Sequence, residues 1–154
     1  RNCLKGKKKV HMLTTAAILE LDFEQPSLDY HGLMKLTKIM TRNCDEDVEN
    51  MFRRMCFNVF AHNRDDHSKN FSYIYRDREK RWILSPAYDL TYSNSIGGEH
   101  ATTVNGNGVD PGMEDLLSVA KKIGIGMAKA RKTAAEIQEC VQERLRDYLS
   151  DRIE

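Results

Sequence analysis

The chain has 154 residues, 40% of them hydrophobic, which is one domain-sized unit with enough apolar material for an ordinary core. Its 24 Lys+Arg nearly balance 23 Asp+Glu, so charge singles out neither a nucleic-acid partner nor an acidic one, and no apolar run approaches the roughly 20 residues of a membrane-spanning helix. Cys3, Cys44, Cys56 and Cys140 form no C-x-x-C pair and the start is unlike a secretory signal, so reduced thiols, a cytoplasmic location and no membrane partner are expected.

In chain order, the basic run Lys5, Lys7, Lys8 and Lys9 ahead of Val10-His11-Met12-Leu13 reads as a solvated turn. Thr14 to Leu19 can start a short helix with a threonine at its N-cap, and Pro26-Ser27 break the chain. A helix over about 29–42 follows, with Leu33, Leu36 and Met40 on one face. Asn43-Cys44-Asp45 is the next break, with Asp45 as N-cap and Glu46 and Asp47 in the favourable first turn. The helix over about 46–61 places Val48, Phe52, Met55, Val59 and Phe60 on a buried face and Glu49, Arg53 and Arg54 on the other. A polar loop, Asn63 to Asn70, leads into the β-prone runs Phe71–Tyr75 and Arg81–Leu84 around a charged connector, an antiparallel hairpin. A hairpin returns the chain to its starting end, so Pro86 to Asp89 should lie beside Asn70. Residues 93–112 read as turns, with an extended piece at Ala101–Val104; helices resume over 113–123 and from 127 to the end, where Ile137, Val141, Leu145 and Leu149 recur every four residues. The expected fold is mainly α with a small β-hairpin.

The polar loop carries the chemistry. Asp65, His67 and Asn70 fall within six residues between a helix and a strand, and the hairpin adds Asp89. Phosphoryl transfer is mostly positioning and charge neutralisation: it needs metal-binding oxygens near the nucleotide phosphates and a carboxylate that orients or deprotonates the attacking hydroxyl. Magnesium takes hard oxygen ligands and keeps several waters, so one carboxylate and one amide oxygen suffice from the protein. The set is Asp65 as base with Asn70 and Asp89 as metal ligands. Asp65 and Asn70 keep the five-residue interval of the protein-kinase loop H-R-D-x-x-x-x-N, with Asn63 in the leading His position. The order helix, loop, hairpin, aspartate is the kinase order too.

The motifs N-x-D-D-H-x-K-N-F-S and W-x-L-S-P-A-Y-D-L resemble the C-terminal lobe of the HipA family, bacterial serine/threonine kinases known as toxins of toxin–antitoxin pairs. The resemblance covers most of residues 10–150 and implies a protein-kinase-like C-terminal lobe. It implies Asp65 and Lys69 as catalytic groups, Lys69 reaching a phosphate, and Asn70 and Asp89 as magnesium ligands. His67 and Tyr88 fall on the nucleotide side, His67 bracing the loop and Tyr88 with Pro86 shaping the approach to Asp89. ATP, Mg²⁺ and a protein substrate with a Ser or Thr hydroxyl are implied, as is a helix-turn-helix antitoxin partner through which alone DNA would be contacted. The family's N-terminal lobe, with its glycine-rich loop and lysine, is not evident in the 64 residues ahead of Asp65. With Arg1 rather than Met at the start, residues 1–154 are expected to be the single catalytic lobe alone, weak in nucleotide binding and turnover.

Two other readings compete. His62, Asp65, Asp66 and His67 resemble the His/Asp cluster of a metal-dependent phosphohydrolase, and a non-catalytic lobe could dock an antitoxin or a second lobe. Asp66, beside Asp65, should point elsewhere into a cap or salt bridge. His11, His31 and His100 have no ligand partners at useful spacing and read as ordinary surface or core histidines, while Glu99-His100 is placed on the substrate side of the cleft.

Overall fold

The computed structural model describes residues 2–5, 8–20, 28–93 and 98–150. Its sheet begins where a turn was expected. Strand β1 (Asn2–Lys5) pairs antiparallel with β2 (Lys8–Thr14), setting Lys5 opposite Lys8. Lys7 lies outside the described residues, so the basic run is corrected from a solvated turn to two strands at Lys5, Lys8 and Lys9. Exposed Lys9, His11 and Leu13 alternate with half-buried Val10, Met12 and Thr14, the period of two of a strand. The helix α1 (Thr15–Ile18) starts as expected, Thr14 Oγ1 accepting from Ala17 N at 3.2 Å. Pro26 and Ser27 lie outside the described residues.

The expected hairpin is present as β4 (Ser72–Arg76) and β5 (Arg81–Leu84), but it belongs to a four-stranded antiparallel sheet in the order β1-β2-β4-β5. Met12 sits opposite Ile74, and Ile74 opposite Ile83. A two-stranded parallel pair joins β3 (Leu28–Asp29) to β6 (Thr102–Thr103), the latter inside the expected extended piece. The fold is therefore mixed α/β with a small sheet, rather than helical with one hairpin.

The helix α2 (Tyr30–Met40) is capped by Asp29, whose Oδ1 accepts from His31 N at 2.8 Å. It stops two residues short of the expected end because Arg42 and Asn43 adopt left-handed backbone, φ 55° and 59°. Next comes α3 (Asp45–Phe60), whose N-cap is Cys44, without a side-chain bond, rather than Asp45. Asp47 turns inward and accepts from Leu84 N at 3.2 Å, fastening α3 to β5. Arg54, expected on the solvent face, is instead packed down toward residue 85. The helix α4 (Met113–Ile123) matches its expected span and closes on Gly124 at φ 91°, the left-handed cap that glycine adopts without a Cβ clash. Lys38 Nζ donates to the Ile123 carbonyl at 2.6 Å, a cation at the negative end of α4.

One core joins α2, α3, α4 and the sheet around Tyr30, Leu33, Met51, Phe52, Tyr73 and Leu116. The last helix, α5 (Met127–Ser150), buries Ala130 and Ala134 and half-buries Ile137, but Leu145 is exposed. Its apolar stripe thus leaves the core beyond Ile137; the Leu149 side chain lies outside the described set. Among the described residues no helix is long and apolar enough to cross a membrane.

Candidate functional site

The loop is built by the end of α3. After Phe60 the chain turns through His62 in left-handed backbone (φ 51°), and Asn63 ties back to the helix through Asn63 N to Asn58 O and Asn63 Nδ2 to Asn58 Oδ1, both 2.9 Å. Two later segments are stitched to it: Arg64 N donates to Ser93 O at 3.2 Å, and Ala101 N to Arg64 O at 3.1 Å. From here the two aspartates part.

Asp65 points outward, its side chain 59% exposed, with His67 Nε2 3.6 Å from Oδ1. Asn70 Nδ2 donates to the Asp65 carbonyl at 2.8 Å, Asn70 N to His67 O at 2.8 Å, and Lys69 N to His67 Nδ1 at 3.3 Å. The six residues close on themselves, and with its N–H side used on Asp65, Asn70 keeps Oδ1 as an acceptor. His67 thus accepts twice within the loop, through Nδ1 and its main-chain carbonyl.

Asp66 points inward and is 1% exposed. Its carboxylate accepts from the Tyr30 hydroxyl at 2.8 Å, His100 Nδ1 at 2.9 Å and Thr102 N at 3.1 Å, and the Thr102 hydroxyl donates to its main-chain carbonyl. A carboxylate only accepts, so His100 presents Nδ1–H here. Asn58 Nδ2 donates to the Tyr30 oxygen at 2.9 Å. Burial, reinforced by Asp66, pushes the Tyr30 phenol well above its ordinary range, keeping it a donor. Asp66 therefore points away from Asp65 and pairs with a histidine; His100 is a core histidine, one of the two ordinary settings expected for it, and its burial corrects its placement on the substrate side of a cleft.

Asp89 arrives by the route the hairpin implied. Ser85 N donates to Ser72 O at 2.9 Å, and Arg54 Nη2 donates to Ser85 O at 2.7 Å. The Tyr88 hydroxyl bonds the Lys69 carbonyl at 2.6 Å and also meets Ser72 Oγ. These contacts staple the residue before Asp89 to the loop residue before Asn70. Asp89 itself is exposed, with left-handed backbone at φ 51°, uncommon for a non-glycine residue but accessible to Asp. Arg54 is partly buried, which lowers its affinity for a proton, and its Nη1 is buried without a hydrogen-bond partner among the described residues.

A model of the HipA-like C-terminal domain matches residues 1–145. The chain belongs to the HipA C-terminal-domain family. No match was found among curated proteins. Among solved structures it is similar to HipA of Shewanella oneidensis MR-1, from a toxin–antitoxin complex with HipB and operator DNA, at TM-score 0.71 and 14% identity. That likeness, a likeness of fold, covers 99% of this chain and 40% of the Shewanella chain.

Within this HipA-like domain the donor set can be weighed against a metal. Among the described residues no three His, Cys, Asp or Glu side chains assemble to hold an ion, so the phosphohydrolase cluster of His62, Asp65, Asp66 and His67 is not formed. The amide oxygen of Asn70 and the exposed carboxylate of Asp89 are hard oxygen donors, a sparse set of the kind magnesium accepts with water completing its shell. Sequence reasoning missed Tyr30, Asn58, His100 and Thr102, which hold the loop from beneath, and Arg54, which holds Ser85. The one signal for them was Asp66 itself, a carboxylate beside an exposed one with no helix to cap.

Proposed function

We propose that this chain is the catalytic lobe of an ATP- and magnesium-dependent serine/threonine protein kinase of HipA type, acting in the cytoplasm. The observation that carries the reading is the Tyr88 staple, which brings the Asp89 segment against the loop that exposes Asp65 and orients Asn70. In this reading Asp65 accepts the proton of a protein Ser or Thr hydroxyl as its oxygen bonds the γ-phosphorus and the bond to ADP breaks. Positioned general bases of this kind contribute roughly 10²–10⁴-fold. Asn70 and Asp89 hold Mg²⁺, which when bound neutralises the phosphate oxygens. Lys69 lies on the phosphate side, and His67 and Tyr88 keep loop and nucleotide aligned. Because the chain spans 40% of the matched HipA, the remainder of a HipA-length protein is the proposed source of the opposing half of the ATP clamp. A helix-turn-helix antitoxin is the proposed partner, with DNA contacted only through it, since the matched HipA was solved with HipB and operator DNA.

Titration calorimetry with ATP, with and without Mg²⁺, tests this on the chain and on Asp89→Ala. Magnesium-dependent binding that disappears in the variant is the expected result. Undiminished phosphoryl transfer by Asp89→Ala in a HipA-length protein carrying this lobe would overturn it. A docking module without catalysis, the second reading, predicts antitoxin binding indifferent to both Asp65 and Asp89.

A further inference from the structure

Asp65 sits between two immobilised peptide units. On its C-terminal side Asp66 is fixed twice, by its carboxylate to Tyr30, His100 and Thr102 N, and by its carbonyl to Thr102 Oγ1. On its N-terminal side Arg64 is bonded through both main-chain groups, N to Ser93 O and O to Ala101 N. The Asp65 carbonyl is itself held by Asn70. What these main-chain anchors leave exposed at Asp65 is its own side chain, 3.6 Å from His67 Nε2.

Most of these anchors come from one stretch, His100 to Thr102, which follows Asp89 in sequence and is itself fastened by His100 N to Gly108 O at 2.7 Å. Of the others, Tyr30 is the first residue of α2 and fully buried. We propose that Asp66 and His100 form a positioning pair that sets the aim of Asp65 and Asn70 and couples the catalytic loop to the segment 100–104. The proposal rests on the kinase reading for what is being aimed, but its geometry is independent of any nucleotide. A movement of 100–104 is transmitted through a bond between two side chains almost sealed from water, 2% and 0% exposed, where a hydrogen bond to a charged group is costly to leave unmade. The pair touches no reacting atom; both residues are positioning groups. It makes the segment after the metal aspartate a place from which the base can be set or released.

Amide hydrogen exchange of the whole chain, resolved at Arg64, Asn70 and Ala101, tests the coupling without nucleotide. In His100→Ala these three amides should exchange about tenfold faster or more, the loss expected for one buried charge-assisted hydrogen bond. Amides within α3 and α4 should hold their rates. His100→Asn, which can return an N–H near the Nδ1 position, should recover most of the protection. Thr102→Val, isosteric and still donating its main-chain N–H to Asp66, provides the same reading in smaller measure should the alanine chain unfold. Unchanged exchange at all three amides, or equal acceleration throughout the core, would overturn the proposal. In a HipA-length protein the activity arm should show kcat falling by a larger factor than KM for ATP rises; a change confined to KM would also overturn it. If the unaltered HipA-length protein shows no magnesium-dependent ATP binding, the kinase reading fails while the exchange result still decides whether Asp66 and His100 set the loop.

Discussion

Two segments bring carboxylates to the site, and they are held in opposite ways. The loop 63–70 is anchored by main-chain bonds to Asn58, Ser93 and Ala101 and by a buried carboxylate beneath it. The segment 85–89 depends on the Ser85 main chain and one tyrosine hydroxyl, and ends in an exposed aspartate with left-handed backbone. The first arrangement suits a group that must already be aimed when a substrate arrives. Under the proposed function, the second would suit a metal ligand whose final placement is completed on binding, as in magnesium sites with few protein ligands.

The comparison can be broken most severely at its stiff end. Asp66→Ala leaves the Tyr30 hydroxyl, His100 and Thr102 N without their shared acceptor, and should cost about 3–5 kcal/mol of unfolding free energy in urea. A shift within about 0.5 kcal/mol, the range of an ordinary surface substitution, would show the loop is not anchored there.

Alkaline titration comes next. Burial pushes the Tyr73 phenol, which bonds Thr37 Oγ1, up to about 12 from a usual value of 10.0. An acid whose folded value is raised stabilises the fold fully below the unfolded value and loses that contribution as pH rises through the folded one. Roughly two pH units correspond to about 2–3 kcal/mol, lost between pH 10 and 12. Tyr30, under the loop, is shifted in the same direction by burial and by Asp66. Tyr30→Phe and Tyr73→Phe should each flatten the alkaline limb of a denaturation series; a limb unchanged in either variant would show that its phenol does not titrate with unfolding.

Smaller effects separate the two segments themselves. Tyr88→Phe removes one hydroxyl and should lower stability by about 1 kcal/mol, yet speed proteolysis around residues 86–90 and weaken Mg²⁺-ATP binding. Asp65→Asn, at an exposed position, should leave the denaturation midpoint within about 0.5 kcal/mol of the parent while abolishing phosphoryl transfer in a HipA-length protein.

Much of this is legible in the sequence. The four-residue periods of α2 and α3, the span of α4 and the β4–β5 hairpin follow from local pattern, and the hairpin alone places Tyr88 beside the loop. Two kinds of feature escaped. The strand β2 was masked by its lysines, because its alternation matters only beside Ile74 and Tyr73, some sixty residues on. The setting of Asp66 depends on Tyr30, 36 residues before it, and His100, 34 after, and neither separation leaves a local signature. Arg54 was misplaced for a related reason: a helical wheel assigns charge to the outer face, whereas this arginine lays its stem along the protein and spends one nitrogen on Ser85.

The lysines that hid the first hairpin have a consequence of their own. Lys5 lies on β1, the outermost strand on one side of the described sheet, and Lys8 and Lys9 on the strand beside it. An outer strand offers unpaired peptide groups to any passing chain, and lysine there opposes a second molecule adding its own strand.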